Sequence, residues 1–99
     1  MKPFRWSAEK NEMLRNERGV SFENIVVAIE SGAVLDILAH PNQSKYPRQR
    51  VLVVSYESYA FLVPFVEEEA YFFLKTIIPS RKATRDYLKQ GDTKAEDLG

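Results

Sequence analysis

The chain has 99 residues, 14 of them basic and 14 acidic, with one histidine, no cysteine, 44% hydrophobic residues and a formal net charge of zero. This length supports one globular domain with its own core and excludes two. The balanced charge excludes any inference from bulk basicity to nucleic-acid binding, and the lack of cysteine excludes a disulfide framework, a thiolate metal site and a cysteine nucleophile. A single His leaves any metal site to carboxylates, and no carboxylate spacing suggests one, so neither metal nor cofactor is expected. The opening MKPFRWSAEK lacks the apolar stretch of a signal peptide, and no apolar run approaches the ~20 residues of a membrane span, so a cytoplasmic location is the expectation.

Taken in order, Pro3-Phe4-Arg5-Trp6 brings two aromatics ahead of Ser7, which reads as the N-cap of a helix running to about Arg18 with Gly19 as its stop. Its apolar side is thin, Trp6, Met13 and Leu14, so Lys10, Arg15 and Arg18 are solvated or available to a partner. Ser21 caps a second helix that ends at Gly32, and Phe22, Ile25, Val26 and Ile29 repeat at the i, i+3, i+4, i+7 spacing of a buried face. Residues 34–39 read as a first strand, broken by His40-Pro41-Asn42, and residues 50–56 as a second. Glu57-Ser58 is a turn, residues 59–66 a third strand, Glu67-Glu68-Glu69 a turn and residues 70–78 a fourth. Pro64 has no N–H for a ladder, which implies an edge position or a bulge. A short helix from Ser80 to about Leu88 packs Ala83, Tyr87 and Leu88 inward, and residues 91–99 form a polar tail expected to be disordered.

The expected fold is therefore α+β: two N-terminal helices on a four-stranded antiparallel sheet, with a short C-terminal helix, in one domain over residues 1–90. On the fourth strand Tyr71, Phe73 and Ile77 point one way while Phe72, Leu74 and Ile78 point the other. Both faces are apolar, and the N-terminal helices cover one, so a partner protein is expected on part of the rest.

Charge is unevenly spread. Residues 40–50 hold Lys45, Arg48 and Arg50 without an acid, and residues 75–89 hold five bases against Asp86 alone. Arg81 and Lys82 fall in a first helical turn, where the dipole and unpaired N–H groups disfavour cations. An anion at that junction reconciles the two, since N–H groups and guanidinium groups then converge on one phosphate or carboxylate. Arg81 and Arg85, at i and i+4, can share a phosphate. The competing reading is a solvated helix face paired with Asp86.

Trp6 with Glu9-Lys10-Asn11, then Arg18-Gly19-Val20-Ser21-Phe22-Glu23, then Ile77-Ile78 followed by Ser80-Arg81-Lys82-Ala83-Thr84-Arg85, together resemble the BrnT family of bacterial toxins. The likeness runs from about Trp6 to Tyr87; where the family commonly has a His ahead of Gly-Val-Ser-Phe, this chain has Arg18. The resemblance implies a RelE-like fold and a metal-independent endoribonuclease of a type II toxin–antitoxin system. It implies RNA as substrate, a cognate antitoxin as partner and a possible higher-order toxin–antitoxin complex.

RNA cleavage without a metal needs a proton acceptor for the 2′-hydroxyl, a donor to the leaving oxygen and positive charge for the transition state. The candidate catalytic set is Arg81, Lys82 and Arg85 for charge and His40, the one imidazole, as acid or base. Tyr46 among Lys45, Arg48 and Arg50 has the composition that stacks a base and holds its phosphates, and Lys10 extends the basic rim. The alternative function is a non-catalytic module that docks an acidic protein or nucleic acid through the Arg81/Lys82/Arg85 junction.

Overall fold

The computed structural model describes residues 2–89, so the tail at residues 91–99 lies outside the described residues. In chain order the elements are β1 Phe4–Arg5, α1 Ala8–Arg18, α2 Phe22–Glu30, β2 Val34–Ala39, β3 Gln49–Tyr56, β4 Tyr59–Glu67, β5 Phe72–Leu74 and β6 Ile78–Pro79. A last helix makes one α turn, α3 Arg81–Ala83, and then widens into a π-helical segment, Thr84–Lys89. The class is α+β as expected, but the sheet has six strands and is mixed, not four-stranded and antiparallel. Its order is β1-β5-β4-β3-β2, with β6 also on β4.

Both N-terminal helices start and stop where local chemistry places them. Ser7 Oγ accepts the Lys10 N–H at 3.1 Å, and Ser21 Oγ accepts the Asn24 N–H at 3.2 Å. Gly19 ends α1 at φ 68°, a left-handed conformation that a glycine adopts without a Cβ clash, and its N–H reaches the Arg15 carbonyl. Asn11 then locks the helices together. It is buried, its Oδ1 accepts the Phe22 N–H at 2.8 Å, and its Nδ2 donates to Glu23 Oε1 at 2.8 Å. That hydrogen bond, foremost, and the Glu23 backbone hold the Glu23 carboxyl below its ordinary range. Trp6 stacks on Phe22 with ring centroids 5.6 Å apart, which explains the aromatics ahead of the first cap.

The β3–β4 hairpin forms the centre of the sheet, in register from Gln49↔Val66 to Tyr56↔Tyr59. Its two-residue turn has positive φ at both Glu57 and Ser58, the twist that suits a tight hairpin. Pro64 sits in β4, between β3 and β5, and pairs with Val51 without a bulge. The expectation of an edge or bulge is thus corrected, and the accommodation is made by the neighbouring strand. The Pro64 carbonyl accepts the Lys75 N–H at 2.8 Å, so the polar groups of Pro64 face the β5/β6 side, where it has no N–H to give. There the expected fourth strand breaks: β5 pairs with Phe65–Glu67, and β6 pairs with Phe61 and Leu62. The break resets the alternation. Ile77, expected on the opposite face from Phe72 and Leu74, joins Leu74 in the same core, both fully buried.

One sheet face carries α1 and α2 over a core of Leu14, Phe22, Ile25, Val54, Val63 and Leu74. The other carries the last helix, where Ala83 and Leu88 pack with Val53, Ala60 and Leu62. The chain therefore supplies cover on both faces, although the second cover is short. Two-residue β1 pairs parallel to β5 in the register Phe4↔Phe72, an association too brief to leave a periodicity in sequence.

Asn11→Ala removes the buried acceptor for the Phe22 amide, and a loss of about 1–3 kcal/mol is expected. Thermal unfolding should register this as a fall of several degrees, at roughly 4–8 °C per kcal/mol for a domain of this size.

Candidate functional site

The junction after β6 is built on Ala60. Its carbonyl accepts the Ser80 N–H at 3.0 Å, and its N–H donates to Thr84 Oγ1 at 2.9 Å. Thr84 is buried, and its hydroxyl donates in turn to the Ser80 carbonyl at 2.7 Å. Both polar groups of one β4 residue thereby fix where the last helix starts. Ser80 Oγ caps it by accepting the Ala83 N–H at 3.0 Å, and the Thr84 N–H goes to the Ser80 carbonyl. With those donors satisfied and a single α turn present, anion affinity here rests on side chains, not on the helix dipole of the sequence argument.

Those side chains divide into two kinds. Lys82 Nζ and Arg85 Nε flank Asp86, at 3.1 and 3.4 Å, and Lys82 foremost holds the Asp86 carboxyl below its ordinary range. For these two the solvated, paired reading is the observed one. Exposed pairs of this sort contribute little to stability and are readily exchanged for another anion. Arg81 is exposed and has no ion pair among the described residues. A further base joins from α1: Arg18 Nη1 donates to the Ile77 carbonyl at 2.6 Å, four residues ahead of Arg81. The sequence left Arg18 solvated or available to a partner, at the position where the resembled family commonly has a His; its long-range contact has no local signal beyond its position in the last helical turn. Tyr56 and Tyr59 pack their rings against Phe61, which pairs with Pro79. Aromatic surface and cations therefore meet at the hairpin end of the sheet, a composition suited to stacked bases and phosphates.

The other candidates lie elsewhere. From the Ser55↔Ala60 pair, where Ser80 docks, to the Gln49↔Val66 pair beside the 40–48 loop is roughly 20 Å at the usual strand rise. At that far end Arg48 meets Glu68 and Arg50 meets Glu67, each at 2.6 Å, while Lys2 reaches Glu67 at 2.8 Å. The basic stretch without an acid in sequence is thus neutralised in space by the glutamate turn. His40 Nδ1 accepts the Asn42 N–H at 2.9 Å, and its ring lies 4.6 Å from that of Tyr46. Lys45 sits over the same Tyr46 ring. His40, Lys45 and Tyr46 thus organise their own loop and are not brought to Arg81. Lys10, in the first turn of α1, is separated from Arg18 by about 12 Å of helix.

The last helix is fastened at its end as well. The Tyr87 hydroxyl donates to Asp36 Oδ2 on β2 at 2.6 Å. This contact pulls the Asp36 carboxyl below its ordinary range and pushes the Tyr87 phenol above its own. Among the described residues no helix is long and apolar enough to cross a membrane, and no group of three or more His, Asp or Glu side chains gathers to hold a metal.

The Asp36 contribution is complete above the ordinary carboxylate range and is lost as pH falls through the lowered Asp36 value; the Tyr87 contribution is lost as pH rises through the raised phenol value. Tyr87→Phe should bring the Asp36 titration, followed by carboxyl 13C NMR, up toward the ordinary range, and an unchanged midpoint would contradict the contact. Asp86→Asn frees Lys82 and Arg85 for other anions, so a generic polyanion such as labelled heparin should be held several-fold more tightly than by the unaltered chain at low salt, with a steeper salt dependence by fluorescence anisotropy. The chain matches no family model, no curated protein and no solved structure.

Proposed function

We propose that this chain is a metal-independent endoribonuclease, the toxin of a bacterial type II toxin–antitoxin pair, with a BrnT-like sequence and a RelE-like arrangement of helices and sheet. The observation that carries the reading is the Ser80–Arg85 junction, where exposed Arg81 follows β6 and Arg18 grips the Ile77 carbonyl just ahead of that strand. Arg81 and Arg18 bind the scissile phosphate. Arg85 and Lys82 join when the phosphate displaces Asp86, so positive charge gathers where the transition state needs it. Tyr59 and Phe61 provide the stacking surface that aligns the flanking bases. A cognate antitoxin silences the protein in the cytoplasm by laying an acidic segment on the same junction, within a higher-order complex.

The engagement of His40 Nδ1 by the Asn42 N–H of its own loop favours a second reading, in which the junction binds nucleic acid or an acidic protein without cutting. In the catalytic reading His40 stands outside the reacting centre: the 2′-hydroxyl attacks phosphorus and gives its proton to solvent water, the leaving 5′-oxygen takes a proton from the Lys82 ammonium, and rate comes from charge and alignment. Incubation of the purified chain with RNA in EDTA separates the two. Cleavage is expected, and Arg81→Ala with Arg85→Ala should lower its rate by at least ~10²-fold, the scale of one lost transition-state donor. His40→Gln should leave the pH–rate profile in place. Tight RNA binding with no cleavage by the unaltered chain would instead establish the binding module.

A further inference from the structure

β2 ends the strand order on one side of the sheet, and among the described residues no strand pairs with its outer edge. Two large apolar side chains stand exposed there, Ile37 at 52% and Leu38 at 39%. They lie on opposite faces. Ile37 borders a hollow with Phe4, Ile29, Val34 and Phe65 on the α2 side, while Leu38 lies beside Val53, Leu62 and Tyr87 on the last helix's side. A helix laid on either face would cover one and leave the other in water. A strand added to the edge covers both.

The edge is also self-complementary. A register shift between Val34 and Asp36 places Leu35 and Asp36 against the single residue Val53, so both face the last helix: Leu35 packs beneath it and Asp36 accepts from Tyr87. Alternation from Asp36 then sets Leu38 on that same face, and His40 is the first residue beyond the strand's end at Ala39. In a two-fold antiparallel pair, cross-strand neighbours share a face, so the register centres on a residue. Centred on Ile37, it sets the Asp36 carboxylate against Leu38. Centred on Leu38, it sets Leu38 against its own copy and Asp36 across from His40.

We propose that β2 is an isologous interface between two copies of this chain, paired antiparallel with Leu38 opposite Leu38 and each Asp36 opposite the partner's His40.

The hydrogen bonds of the single chain fit that exchange. The Ile37 N–H now donates to Asp36 Oδ1 at 2.8 Å, a local bond that occupies an edge amide. On pairing, this N–H passes to the partner's Ala39 carbonyl, and Asp36 Oδ1 becomes free to accept. His40 Nδ1 is already occupied by the Asn42 N–H, so the neutral ring carries its proton on Nε2 and offers it across the interface. The Tyr87 hydroxyl stays on Asp36 Oδ2 and orients the carboxylate. The last helix adjoins this edge, since Ser80, Lys82 and Asp86 border the same hollow as Leu38, but the pairing itself uses only β2 and His40 and does not depend on RNA chemistry.

Sedimentation velocity of the full chain from about 1 to about 100 µM tests the interface, a range suited to a small strand-to-strand contact. The expected result is a shift with concentration toward twice the 11.4 kDa chain mass. Leu38→Lys and His40→Asp should each raise the midpoint at least ~10-fold, the scale set by like charges facing across a strand pair. Asp36→Lys combined with His40→Asp should restore it. Circular dichroism melting confirms that each variant is folded, with Ile37→Lys as a replacement for any that is not. A chain that stays monomeric throughout, or a dimer indifferent to Leu38→Lys or to His40→Asp, would overturn the proposal.

Discussion

One missing hydrogen organises this molecule. Pro64 lies in the central strand β4 and has nothing to donate on the side where the chain returns, so that return is split into β5 and β6. The split lets Leu74 and Ile77 enter the same core, which an unbroken strand forbids by alternation. It also brings the chain to Ala60 at Ser80, from which the last helix crosses to the second face of the sheet. The location of the basic junction is therefore a consequence of ladder geometry, with Thr84 and Ser80 as its fasteners.

The electrostatics follow from the same register. Pairing Gln49 with Val66 draws Arg48 and Arg50 to the glutamate turn, where their charge is matched. At the hairpin end there is no comparable acid run, and Asp86 alone faces Lys82 and Arg85. Arg18 and Arg81 are among the bases that have no ion pair among the described residues. Exposed pairs to Asp86 are shallow, and a phosphate with several acceptor oxygens competes for the same guanidinium groups.

Local chemistry wrote the parts of the fold that were legible beforehand. Ser7, Gly19 and Ser21 act on amides within four residues of themselves, so both N-terminal helices could be read with their ends. Glu57-Ser58 marked the hairpin, and Pro64 announced an irregularity, although its resolution lay in the neighbouring strand. What sequence could not disclose is non-local. The parallel pairing of β1 with β5, the meeting of Arg50 with Glu67, and the reach of Arg18 to Ile77 all join residues far apart in the chain. The junction was visible as charge against dipole, but its cap is satisfied internally and its cations act as side chains. The 40–50 stretch looked basic only because its acids lie some seventeen residues on, as the Arg50–Glu67 pair illustrates.

The proposed function requires RNA phosphate to be held at the Ser80–Arg85 junction. Amide NMR of the chain titrated with a 2′-O-methyl RNA, which cannot be cut, tests it most directly. The expected shifts concentrate at Arg18 and from Ile77 to Arg85, with the 40–48 loop unmoved. Shifts concentrated in the 40–48 loop, with the junction silent, would contradict the proposed function.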